Sequence, residues 1–323
     1  MKNACIKSLI DIGKNDDRII LISVDQPTGF EKELKKAFKK RFIFEPISEA
    51  NVVSMAAGLA SNGYIPYVFG HATFNTRRCY EQIALDACLQ KNHIRLIGMG
   101  AGLVNAHLGP THTAIEDVSL LRSIPGMTVL VPSDADETTQ LMPQTVELKS
   151  TIYIRLAQFG EPRYGKKVDT NKRNKAKIGK ADVIYSSNKN AAVDILFVSN
   201  GVMTPISVET SMILSKKNIN SKVLNLSTPK PIDTKTLCKE VSSSKRVIIV
   251  EEHTLIGGLA SACLESLTDN LGSNNLPPIN RIGLPDKFIH NYGNQKSLLE
   301  KNNMLPEQIA ERVFHIISNK NSK

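Results

Sequence analysis

The sequence predicts an α/β protein built from two doubly wound, mostly parallel-sheet domains, and three observations carry that prediction. Apolar, β-branched runs of buried-strand length recur along the 323 residues, helical patterns separate them, and one basic stretch interrupts the alternation. Strands of a parallel sheet are covered on both faces by their crossover helices, so they read as unbroken apolar runs.

In order, the opening MKNACIKSLIDIGKND interleaves apolar and charged residues and predicts an amphipathic first helix in place of a signal peptide. Strands are expected in RIILISV (18–24), YIPYVFG (64–70), IRLIGM (94–99), MTVLVP (127–132) and TIYIRL (151–156). Helices are expected over 45–61, 76–90, 116–122 and 134–148. Residues 163–185 form a basic linker between a first domain (1–162) and a second (186–323). The alternation resumes with strands at 193–201, 221–226, 246–252 and 279–284, separated by helices at 204–215, 234–241 and 257–267.

Composition narrows the function classes. With 41% hydrophobic and 22% charged residues the chain is globular, and no apolar run approaches the roughly 18 to 20 residues that span a bilayer. Five scattered cysteines without a CxxC pair argue against a disulfide framework or a zinc site and fit a reducing cytoplasm. A net charge of +10 invites a nucleic-acid reading. Seven of the basic residues, however, fall in 165–180, where no aromatics are interleaved to stack on bases, so the charge reads as a solvated linker.

The stretch EPISEANVVSMAAGLAS (45–61) stands out. Ser48 can accept from the free N–H groups of a first helical turn, Val52, Met55, Ala56 and Leu59 recur at helical spacing, and Asn62-Gly63 ends the pattern. Its small residues predict a helix that is buried by a close neighbour. Glu49 therefore sits in the first turn of a buried helix, where an acid complements the dipole or performs chemistry.

Open parallel sheets bind ligands at the carboxyl ends of their strands. That directs attention to Asp25, Glu49, the segment 69–78, and GMGAGLVNAHLGPTHTAIED (98–117). The last resembles a dinucleotide fingerprint, but its third glycine is misplaced and Pro110 follows where a helix is needed. No GxxxxGK[ST] loop or GxSxG elbow is present, and zinc would need ligands beyond His107 and His112. Two histidines in a glycine-rich loop at a strand end read as polar groups offered to a substrate.

Six segments in a fixed order then place the chain: SEANVVSMAAGLA (48–60), FN-RR-YEQI (74–83), GPTHTAIED-SLLRSIPGMTVLVPSDA (109–135), NG-MTP (200–205), PKPID (229–233) and VEEHTLIGGLAS (250–261). Together they resemble the C-terminal half of transketolases and 1-deoxyxylulose-phosphate synthases. The resemblance implies a thiamine diphosphate pyrimidine-binding fold followed by a transketolase C-terminal-like domain. Glu49 matches the glutamate that hydrogen-bonds the aminopyrimidine ring, a charge-assisted bond that stabilises its imino tautomer. Phe74 matches the segment that stacks on that ring. His112 matches a histidine at the reacting carbonyl, and Arg155 matches an arginine that binds substrate phosphate.

The family's diphosphate and magnesium site uses a GDG motif, and this chain contains no Asp-Gly pair. The resemblance thus implies half a cofactor site: a separate N-terminal subunit holds the diphosphate and Mg2+, in a heterotetramer active only with both subunits. Before GPTH, His107 and Leu108 stand where sugar-phosphate transketolases carry an acidic pair, and Gly100 stands where they carry a histidine. Losing acceptors for sugar hydroxyls implies a modified sugar donor or acceptor for a two-carbon ketol transfer. The alternatives are the beta subunit of a 2-oxo acid or acetoin dehydrogenase-type enzyme, and a non-catalytic partner-binding subunit.

Overall fold

A computed structural model describes residues 1–24, 29–157 and 175–318. Asp25 and the larger part of the expected linker lie outside the described residues.

The first sheet contains β1 (Ile19–Ser23), β2 (Phe42–Phe44), β3 (Ile65–His71), β4 (Arg95–Met99), β5 (Met127–Leu130) and β6 (Thr151–Leu156), in the order β2-β1-β3-β4-β6-β5. Every pairing is parallel, so all carboxyl ends share one edge. Its helices are α1 (Lys2–Asn15), α2 (Glu31–Phe38), α3 (Glu49–Ser61), the short α4 (Tyr80–Gln82), α5 (Asp117–Arg122) and α6 (Ala135–Leu141). The period-two alternation of strand side chains sends Ile19 and Leu21 into a core with α1 and α2, and Ile20 and Ile22 into a core with α3 and α5.

The second sheet contains β7 (Asp182–Ser186), β8 (Ile195–Ser199), β9 (Ser221–Asn225), β10 (Val247–Thr254) and β11 (Ile279–Leu284), in the order β11-β10-β8-β9-β7. Only β7, at the edge, runs antiparallel. It begins inside the stretch expected as linker. Helices α7 (Met203–Ser215), α8 (Thr234–Ser242), α9 (Leu259–Leu271), α10 (Gln295–Lys301) and α11 (Pro306–Ser318) complete the layer. The core beneath α7 and α11 continues through Ala101, Leu103 and Ala114 of the first domain. The second domain therefore supports the loop that follows β4.

Three local expectations change. Ser48 stands at the N-cap of α3, but its side chain does not bond the first turn; its Oγ donates to the Pro46 carbonyl at 2.8 Å. Residues 76–90 are not one α-helix, because Phe74–Arg78 and Ile83–Leu89 are π-helical around α4. And α3 is covered on one flank only: Val52, Val53, Ala56 and Ala57 are buried, whereas Gly58 is exposed and a Cβ there would meet nothing.

Candidate active site

The first piece of the site is made by the turn after β3. Asn75 is fully buried and donates from Nδ2 to the Ile97 carbonyl at 3.2 Å, in space that only Gly70 leaves free, since a Cβ at Gly70 would overlap the amide. Thr76 Oγ1 donates to the Ala72 carbonyl at 2.7 Å. These two bonds pin the π-turn, a geometry that recurs at functional positions. Phe74 and Arg78, four residues apart, are thereby turned to one side, with the Arg78 guanidinium 4.7 Å over the Phe74 ring.

The second piece is Glu49, the first residue of α3. Its side chain is 5% exposed and accepts on Oε2 from Arg78 Nη1 at 2.6 Å. Oε1 accepts no hydrogen bond among the described residues. Neighbouring Cys79 has its thiol pKa pushed up to about 12, by burial first and by the Glu49 charge second.

The third piece is the loop after β4. Gly100, Gly102 and Gly109 all adopt positive φ there, and Gly102 bridges Ala114 so that the loop returns on itself. The returning arm carries His112 to within 5.1 Å of Phe74 and 6.1 Å of His71, ring centre to ring centre and edge to face. Arg77 holds that arm by donating to the Thr113 carbonyl at 3.3 Å and pairing with Glu116 at 2.8 Å. His112 has a lowered pKa, first from burial and then from His71, His107 and Arg77, so a neutral imidazole faces the site. Asn105, which the sequence did not single out, fills the space over Gly100 and lies 3.3 Å from His71 Nδ1.

Glu49, Phe74 and His112 are therefore joined through Arg78 and Phe74 into one cluster at the carboxyl edge of the first sheet. His107 is exposed on the short 3-10 turn Ala106–Leu108 of the same loop. Arg155 stands deeper, 3% exposed, where Nε pairs with Asp117 at 2.8 Å and Nη2 donates to the carbonyls of Ala114 and Glu252. Its Nη1 donates to none of the described residues. A cavity of about 540 Å³ opens beside the cluster, between Arg77, Thr113 and Glu116 of the first domain and Thr254, Lys287 and Phe288 of the second. Among the described residues no three metal-ligating side chains stand together, and no helix is long and apolar enough to cross a membrane.

Two tandem α/β domains with mostly parallel sheets, the first with an acid, an aromatic ring and an imidazole on its strand-carboxyl edge, define an α/β protein with a candidate ligand site at that edge. The chain belongs to the transketolase family: residues 1–158 match the transketolase pyrimidine-binding domain and residues 185–309 the transketolase C-terminal domain. It is 27% identical over 319 residues to an apulose-4-phosphate transketolase subunit of Phocaeicola vulgatus, with 97% of each chain covered. It is 28% identical over 322 residues to a 6-deoxy-6-sulfo-D-fructose transketolase subunit of a Clostridium species, covering 99% of this chain and 95% of that one. Identity to 1-deoxy-D-xylulose-5-phosphate synthase of Dictyoglomus turgidum is 33%, but the chain spans only 48% of that protein's length. Among solved structures, a split-gene transketolase described as an inactive beta4 tetramer superposes with a TM-score of 0.83 at 28% identity, covering 97% of this chain and 96% of that one.

Proposed function

We propose that this chain is the C-terminal subunit of a two-subunit, thiamine diphosphate-dependent transketolase that moves a two-carbon ketol unit between sugar or sugar phosphate substrates, one of them modified. The observation that carries this reading is Glu49: a buried carboxylate at a helix start, one oxygen held by Arg78 and the other without a partner among the described residues, beside an aromatic ring. An aminopyrimidine needs that combination, a flat apolar neighbour and an acid for its ring nitrogen, so the residues present fit the group.

Thiamine diphosphate, when bound, supplies the electron sink for breaking and remaking a carbon–carbon bond next to a carbonyl. Glu49 Oε1 would hold the proton at the ring nitrogen, and Phe74 would pack on the ring. Neutral His112 would hydrogen-bond the substrate oxygen, with His107 nearer solvent, and Arg155 would keep Nη1 for an anionic substrate end. The cofactor contact expected of Asp25 rests on the sequence alone, since that residue lies outside the described residues. The relatives of matching length are named as transketolase subunits, which supports a second chain that holds the diphosphate and Mg2+. The open flank of α3 supplies a surface for assembly into a heterotetramer, in the cytoplasm.

Calorimetric titration with thiamine diphosphate and Mg2+ tests the reading. The isolated chain is expected to bind no cofactor at micromolar concentration, and the chain mixed with its N-terminal partner is expected to bind one equivalent per pair. Tight stoichiometric binding by the isolated chain would overturn the half-site, and no binding by the pair would overturn the cofactor.

A further inference from the structure

We propose that Arg78 is the positioning residue for Glu49: its guanidinium grips Oε2 while lying over Phe74, and so fixes Oε1 as the oxygen presented to a bound ring. The identity of that ring rests on the function proposed above; the grip does not.

A carboxylate that is 5% exposed is costly to leave unpaired, and Arg78 is its one ion-pair partner among the described residues. Among the described residues nothing else bonds its carboxylate. Ser48 turns away to Pro46 instead of organising the helix start. Arg78 is itself steered, because the π-turn Phe74–Arg78 folds its guanidinium back to 4.7 Å over the Phe74 ring. Arginine suits this double duty, since a planar guanidinium can stack on a ring with its face and donate along its edge. Acid, cation and ring are thus one mechanical unit. With Arg78 49% exposed, the pair adds less to stability than a fully buried one, which leaves alignment as its main consequence.

A double-mutant cycle on the full chain tests the grip without any cofactor. Arg78→Leu, Glu49→Gln and the double variant are compared by denaturant unfolding. Arg78→Leu is expected to lower the folding equilibrium constant about tenfold with Glu49 present, and less than about threefold in the Glu49→Gln background. Equal losses in both backgrounds would overturn the proposal. Should the Arg78→Leu chain be insoluble, Arg78→Gln goes through the same cycle with the same thresholds. Calorimetry on the two-chain complex with thiamine diphosphate and Mg2+ tests the alignment. Arg78→Leu and Arg78→Lys are both expected to weaken binding at least about tenfold, because lysine keeps the charge but not the stacked fork. Unchanged affinity in both would overturn it. If the unsubstituted pair binds no thiamine diphosphate, the proposed function fails, and the unfolding cycle still decides whether Arg78 holds Glu49.

Discussion

Arg155 Nε donates to Asp117 Oδ2 across 2.8 Å with both side chains buried, and this pair ties the end of β6 to the start of α5. Tyr153 donates to the same carboxylate oxygen at 2.6 Å, while Arg155 Nη2 reaches Glu252 of the second domain through its backbone carbonyl. The ion pair therefore belongs to the seam between the domains.

Removing one member of such a pair leaves the other as an uncompensated buried charge, a loss of about 3–5 kcal/mol. Asp117→Ala is expected to lower unfolding stability by about that amount. Replacing both partners with apolar residues, Asp117→Leu with Arg155→Met, removes the stranded charge but also the bonds to Tyr153 and to the Ala114 and Glu252 carbonyls, so it is expected to recover part of the loss. Denaturant unfolding of the three variants checks this, and a double variant as unstable as Asp117→Ala would contradict it.

Glu252 makes the same seam sensitive to pH. Its carboxyl accepts from Leu103 N at 3.1 Å and from Gln295 Nε2 at 2.8 Å, and burial pushes its pKa up to about 7, with Arg155 opposing. The folded chain thus holds this proton more tightly than the unfolded chain, where the usual value is 4.5. The resulting stability is fully present below about pH 4.5, declines as pH rises toward 7 and is lost above it, a change on the order of 3 kcal/mol. Glu252→Gln keeps the shape and removes the titration. Unfolding at pH 5 and pH 8 is expected to show the native chain losing stability relative to Glu252→Gln; parallel profiles would refute this.

The sequence carried the sheets better than the turns. Strands β1, β4 and β6 are mostly apolar and buried along their whole length because both faces of their sheet are covered, and that made them readable. Strand β7 escaped because an antiparallel edge strand, DVIYS, is half-exposed and follows the basic stretch. Helix α2 and strand β2 lie in EKELKKAFKKRFIF, where the density of lysine hides Leu34, Ala37 and Phe38, the residues that are buried. Glu49, Phe74 and His112 were singled out from motifs, whereas Arg78, although part of FN-RR, was not given a role. A cation within a helical pattern reads as solvated, and only the π-turn, which shifts the register by one residue from α-helical spacing, turns it onto Glu49.

Gly102 shows how tightly the seam is fitted to the site loop. It has φ +65°, and a Cβ there would run into the Glu252 carboxylate, a rigidly held group. Gly102→Ala is therefore expected to displace the loop that carries His112. It should destabilise the chain by more than about 1 kcal/mol, the usual cost of alanine at a left-handed position being exceeded by the overlap. Thermal unfolding together with faster amide exchange across 100–114 checks it. Unchanged exchange there would show that the loop does not depend on this contact.

Glu49→Gln tests the chemistry most directly. The amide preserves the volume of the side chain at the start of α3 and removes its charge, so Arg78 loses its counter-ion while the core formed by Val52, Val53 and Ala56 stays intact. If Glu49 serves proton transfer at a bound ring, turnover of the two-chain enzyme is expected to fall by roughly two to four orders of magnitude, the usual range for a lost proton-transfer group. The far-ultraviolet dichroism and assembly with the partner chain should be unchanged. Steady-state assays with a ketose donor and an aldehyde acceptor at saturating cofactor separate this from weaker cofactor binding, because a loss that excess thiamine diphosphate restores is a binding effect. Near-normal turnover at saturation would exclude Glu49 from the reaction and leave it the simpler role of an acid complementing a helix dipole.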